Sequence, residues 1–207
     1  MMGRGWNCNW HTEGVFTLKR LTAAAIEERI EAAQSFPLDV APLLSLHDSL
    51  PSDRVPVGFA YDQSRSCLGG GEALFTAATG AVAQWVHFDL GWINVVNRNA
   101  RIVPGQIVAV QAQALGLWTL NLSRITATIE TARRFGFIYA TTAMHVEKGE
   151  ESFLLEFDES SGEVWYVIEA ISRPRSLLAY LGFPVTRAFQ HKFARDSQRR
   201  MKEEMPV

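Results

Sequence analysis

From Ile93 to Ser172 the chain reads as six candidate strands in succession: Ile93–Asn97, Gln106–Ala114, Asn121–Glu130, Phe135–Thr142, Ser152–Phe157 and Val164–Ser172. Turn-forming residues separate them at Pro104-Gly105, Ala132–Arg134, Lys148-Gly149 and Asp158–Gly162. A parallel pair needs a crossover of a dozen or more residues, so strands joined by short turns must pair antiparallel. Alternate positions are apolar on both faces in several of them. Phe153 and Phe157 oppose Leu154, and Tyr166 and Ile168 oppose Trp165 and Val167. Part of the sheet is therefore expected to be covered on both sides.

Helices flank this run. Leu21–Ala33 places Leu21, Ala25, Ile26 and Ile30 on one face, with Thr22 as a candidate N-cap. Residues 36–56 hold four prolines and read as an irregular connection. A short strand is expected at Val57–Tyr61, broken by Gly69-Gly70-Gly71 from a helix over Glu72–Phe88. The apolar face of that helix carries Leu74, Phe75, Ala78, Ala81, Val82 and Trp85. The chain ends in helix, first over Pro174–Leu181 and, after a break at Gly182, in a longer piece beginning at Pro184.

The expected class is α+β: residues 1–55 form an extension with one helix packed on the main body, and residues 56–207 form a single domain. A curved antiparallel sheet gripping a long C-terminal helix resembles the START-like and Bet v 1-like helix-grip arrangement. The hot-dog fold is the alternative, and the long terminal helix fits it less well.

Composition narrows the partners. Of 207 residues, 47% are hydrophobic and 20% charged, which supports a sizeable core without disulfides. A net charge of −2 argues against nucleic acid as a partner. Cys8 and Cys67 have no metal or redox spacing and read as free thiols, and the N-terminus has no secretory h-region, so a cytoplasmic location is expected. Polar residues interrupt each apolar stretch, so no integral membrane segment is expected.

Four blocks resemble an uncharacterised family of bacteria and plants, DUF1990, over roughly Val55 to Arg200. They are Pro56-Val57-Gly58-Phe59-Ala60-Tyr61 with Leu68–Glu72 and the Trp85, Phe88, Trp92 spacing; Phe135–Tyr139 with His145 and Gly149–Phe153; Gly162–Tyr166 with Ser172-Arg173-Pro174; and Gly182-Phe183-Pro184 with Gln190, Phe193 and Arg195. The resemblance implies no established activity. Where the family has Tyr-Gly-Thr-Leu-Pro-Gly-His, this chain has Tyr139-Ala140-Thr141-Thr142-Ala143-Met144-His145, so the turn before His145 is expected to differ.

Candidate chemistry is sparse. His145-Val146-Glu147 has the H-x-E form of zinc deaminases, but the P-C-x-x-C helix is missing. No two histidines have metal spacing, and the glycine triplet lacks the lysine of a P-loop. No metal or cofactor is expected. Glu147, Glu150 and Glu151 read as an exposed acidic turn. Gln111, Gln113, Thr126 and Thr128 lie within apolar strands, and an inward orientation would make the interior amphipathic and hollow. Arg187, His191 and Arg195 form a stripe at i, i+4, i+8.

The leading expectation is an internal cavity that binds a hydrophobic or amphipathic small molecule or lipid. Trp85, Tyr139, Trp165 and Phe189 would meet its apolar part, Arg187 or His191 would meet its polar head, and His145 would stand close by. One alternative is an enzyme in the same cavity with His145 or Glu151 as general acid/base. The other is an interaction module that works through the basic C-terminal helix, where Arg187, Lys192, Arg195, Arg199, Arg200 and Lys202 cluster.

Overall fold

The computed structural model describes residues 16–175 and 183–206. Its strands are β1 (Phe16–Thr17), β2 (Ala60–Gly70), β3 (Ile93–Val95), β4 (Ile107–Ala114), β5 (Leu117–Glu130), β6 (Arg134–Thr141), β7 (Glu147–Phe157) and β8 (Glu163–Pro174). The helices are α1 (Ala23–Ala33), α2 (Glu72–Ala83) and α3 (Phe183–Glu204). All pairings are antiparallel in the order β2-β8-β7-β6-β5-β4-β3, with β1 paired to β5. The sheet curls into a half-barrel with α3 on its concave side, which is the helix-grip arrangement and not the hot-dog.

Strand alternation sorts the side chains. On β8, Tyr166 and Ile168 join the inner core with Phe137, Phe153 and Phe193, and the Tyr166 hydroxyl lies 3.0 Å from Ser197 Oγ on α3. Ile171 faces the other way, against Leu44, Leu46 and Ile138. The outer face is thus covered by the segment before β2. Ile26 and Ala33 of α1 pack on Ile107, Ala109, Leu120 and Leu122. Thr22 caps α1, its Oγ1 accepting from Ala25 N at 3.3 Å.

Several sequence expectations need correction. The expected break at the glycine triplet is part of a long strand: Gly69 and Gly70 pair with Val164 and Glu163 beyond a bulge, and only Gly71 turns the chain, with φ 96°. The helix from Glu72 stops at Ala83, because Trp85 adopts a left-handed conformation and Val86–Phe88 forms a separate 3₁₀ turn. Trp85 still belongs to the core, its indole N–H donating to Ala100 O at 3.0 Å.

Lys148-Gly149 is no turn. Both residues lie inside β7, opposite Arg173 and Ser172, and the reversal comes earlier, at residues 142–146. Glycine is needed at 149 because a Cβ there would stand 1.9 Å from Ile171 O. Glu147, Glu150 and Glu151 are therefore strand residues rather than an exposed turn. Pro174 belongs to β8, Arg175 follows in a bend, and residues 176–181 of the expected helix lie outside the described residues.

Candidate functional site

Between the concave sheet and α3 lies a cavity of about 890 Å³. Its apolar part is built by Ile93, Val110 and Ala112 from the β3–β4 edge, and by Trp92 and Phe189, whose rings lie 5.7 Å apart. Its polar part comes from alternate residues of β6 and β7, where Tyr139, Glu147 and Glu151 point inward, from Asp62 and Ser172, and from Gln190 and His191 on α3. Strand period two places Glu147, Gly149 and Glu151 on one face, and the bare glycine leaves room between the two carboxyls.

These carboxyls are held in unusual states. Tyr139 donates its hydroxyl to Glu151 Oε2. Burial pushes the Glu151 carboxyl up to about 7, the Tyr139 hydrogen bond opposes this, and the charge of Glu147 adds to it. Burial also raises Glu147, against the lowering effects of Gln190 and Ser172. Gln190 Nε2 donates to Glu147 Oε2 at 2.6 Å and to Ser172 Oγ at 2.9 Å. Glu147 Oε1 has no hydrogen-bond partner among the described residues. Glu150 points to the outer face and accepts from the amides of Leu43 and Leu44 at 2.7 and 2.9 Å.

Two cations nearby, Arg187 and Arg175, are already paired. Arg187 forms a two-pronged pair with Asp62, and His191 Nε2 lies 3.3 Å from the same carboxylate. This pair holds the Asp62 carboxyl below its usual range although burial acts the other way. Arg175 pairs with Asp39 and also donates to the carbonyls of Thr142, His145 and Glu147. His145 lines the cavity, and its Nδ1 accepts from Glu147 N at 3.1 Å. Burial, assisted by the nearby Arg175 charge, pulls the His145 ring down to about 4.

Of the residues singled out in the sequence, Tyr139, His145, Phe189 and His191 line the cavity. Trp85 is core, and Trp165 lies on the outer face, where Arg65 stacks 4.0 Å above its ring. Arg187 stands at the cavity's edge, committed to Asp62. Gln111 and Gln113 point away from the interior: Gln111 accepts from Arg20 Nε at 2.9 Å on the α1 side, and Gln113 is exposed. Thr128 is exposed, and Thr126 donates to Ile138 O at 3.3 Å beside the β5 bulge. The polar lining therefore comes from β2, β5, β6, β7, β8 and α3, and not from the polar residues of β4. Asp62 was not singled out, and Ser172 and Gln190 entered only as residues of the family blocks, although Gln190 sits three residues beyond Arg187 on the helix face that reaches the sheet.

The described residues contain no cluster of three or more metal-ligating side chains and no helix long and apolar enough to cross a membrane. On α3, Arg187, Lys192, Arg199 and Arg200 each pair with an acid: Asp62, Asp196, Asp196 with Glu203, and Glu204.

A half-barrel closed by a terminal helix over an amphipathic cavity defines a helix-grip α+β protein. Residues 46–200 match the family described as Domain of unknown function (DUF1990), and the chain belongs to that family. A UPF0548 protein of Dictyostelium discoideum is 37% identical over 154 residues, covering 69% of this chain and 71% of that one. Among solved structures, the di-domain ARO/CYC BexL from the BE-7585A biosynthetic pathway superimposes with TM-score 0.51 at 13% identity, over 73% of this chain and 52% of that one. A Thermus thermophilus protein gives TM-score 0.50 at 11% identity, over 70% and 96% of the two chains. At such identities the likeness is one of fold.

Proposed function

We propose that this protein binds a hydrophobic or amphipathic small molecule or lipid in the cavity between the sheet and α3. The observation that carries the reading is the cavity itself. Its volume of about 890 Å³ falls in the range of small-molecule sites, and it is apolar along β3–β4, Trp92 and Phe189 and polar at β6–β7. The test is native mass spectrometry of gently purified protein, with organic extraction of what it carries. A co-purifying molecule at near-stoichiometric level is expected. Ala170→Trp, which places an indole on the cavity wall in the space a ligand would take, is expected to fold and to come through empty. An equal load on Ala170→Trp would show that the molecule binds elsewhere and would refute the reading.

A chemical step on the bound molecule is a second reading, favoured by one observation. Glu151 has its carboxyl near neutrality inside the cavity, as a general acid/base requires. Recovering the same chemical species from wild type and Glu151→Gln would rule out a reaction through this residue. A precursor accumulating only on the variant would support one.

A further inference from the structure

We propose that the polar end of the cavity receives a cationic amine at the head of an amphipathic ligand, with Glu147 Oε1 as its acceptor. The proposal rests on the ligand-binding reading of the same cavity and narrows it to one class of ligand.

Glu147 lines the cavity yet is only 7% exposed. One of its oxygens is met by Gln190, and the other has no partner among the described residues. A buried acceptor without a donor costs about 1–3 kcal/mol, more when charged, and this one belongs to a residue of the cavity wall. Glu151 lies four residues on, on the same face and roughly 13 Å along the strand, and its carboxyl feels the Glu147 charge. An ammonium at Glu147 Oε1 would supply the missing donor and would have the Glu151 carboxyl as a second, more distant negative group.

The surrounding cations do not fill that role. Arg187 is held by Asp62 and Gln190, and His191 stands against Asp62. Arg175 is bound to Asp39 and to backbone carbonyls, and the His145 Nδ1 is occupied by the Glu147 amide. Arg195 also lines the cavity, but it lies five residues beyond Gln190, roughly 7.5 Å along the axis of α3. An anionic head placed against β7 would meet the carboxyls of Glu147 and Glu151. An ammonium would find charge-assisted acceptors there, with Ile93, Val110, Ala112, Trp92 and Phe189 available to its apolar body.

The experiment compares three probes with one chain: decylamine, decanol and decanoate, titrated calorimetrically into the intact protein at pH 8 and below their aggregation limits. Decylamine is expected to bind about tenfold or more tightly than decanol, with decanoate the weakest, as a charge-assisted hydrogen bond to Glu147 requires. In Glu147→Gln the preference for decylamine over decanol is expected to shrink to about threefold or less, since the acceptor then carries no charge. Decanoate binding as tightly as decylamine would overturn the proposal but leave the cavity reading intact. So would an undiminished amine preference in Glu147→Gln. If none of the three probes binds, the cavity reading falls, and this proposal with it.

Discussion

Replacing His87 with phenylalanine should stabilise the fold, and by more at acid pH than at neutral pH. The His87 ring is fully buried among aromatic rings, with centroids at 4.8 Å to Phe88, 4.9 Å to Phe153, 5.8 Å to Trp85 and 6.0 Å to Phe137. Neither ring nitrogen has a hydrogen-bond partner among the described residues. Burial pulls the pKa from 6.5 down to about 3. Above pH 6.5 the ring is neutral whether the chain is folded or unfolded, and nothing is lost. As the pH falls below 6.5 the unfolded chain takes up a proton that the folded chain refuses, so stability declines with each unit until about pH 3. At pH 5 the loss amounts to about 2 kcal/mol, from 1.36 kcal/mol per unit across roughly 1.5 units. His87→Phe removes this loss. At neutral pH its gain from deleting the unmet nitrogens, about 1–3 kcal/mol, is offset in part by the larger ring in a packed core. The decisive quantity is therefore the change in the gap between variant and wild type. Urea unfolding of both proteins at pH 7.5 and 5.0 measures it, with the gap expected to widen by about 2 kcal/mol on acidification. A gap that stays constant, or narrows at pH 5, would refute the argument that this imidazole is buried neutral and unpaired.

Three further perturbations read other parts of the structure. Because burial lifts the folded pKa of Glu151 from 4.5 to about 7, its protonated form contributes stability that is complete below pH 4.5 and is lost as the pH rises through 7. Glu151→Gln is expected to abolish that decline, an effect of at most about 3 kcal/mol between pH 4.5 and 8 that water in the cavity will reduce; a decline unchanged in the variant would assign it to another group. Gly149→Ala would drive a methyl into the backbone of Ile171 and Ser172, at 1.9 and 2.7 Å, and is expected to cost about 3 kcal/mol or more in urea unfolding, whereas a cost under about 1 kcal/mol would fit a turn position instead. Asp39→Ala leaves the mostly buried Arg175 guanidinium without its counter-charge and is expected to lower stability by about 3 kcal/mol, measured in the same way, with Asp39→Asn losing less because the amide can still accept.

The sheet was legible because its signal is local. Each strand announces itself by β-branched and aromatic residues between turn residues, and the short connections force antiparallel order. The helix-grip arrangement followed from what comes after the strands. The misreadings occurred where a residue type has two physical meanings. Gly149 reads as a turn glycine, but it is a strand glycine that lets β8 come close. Three glutamates within five residues read as solvent-facing, yet period two sends Glu147 and Glu151 into the cavity while Glu150 turns outward to two backbone amides. Trp85 and Trp165 look alike as candidate lining residues. One is core and the other lies on the outer face, a distinction that depends on which side of the sheet the helices take. Asp62 carries no motif and Gln190 belongs to a block with no role attached, and only the approach of β2 to α3 makes them part of the site.

The segment before β2 has a mechanical consequence for the cavity. It lays α1 on the backs of β4 and β5, sets Leu44 and Leu46 on the backs of β6 and β8, and ties Asp39 to Arg175. These contacts brace the curved wall from outside, like ribs on a shell. The compliant wall is the one facing it. Around Phe189, Gln190 and His191, α3 meets the sheet through side-chain contacts such as Gln190 to Glu147 and Arg187 to Asp62, with no strand ladder to break. Any widening of the cavity therefore meets less resistance at the helix than at the sheet.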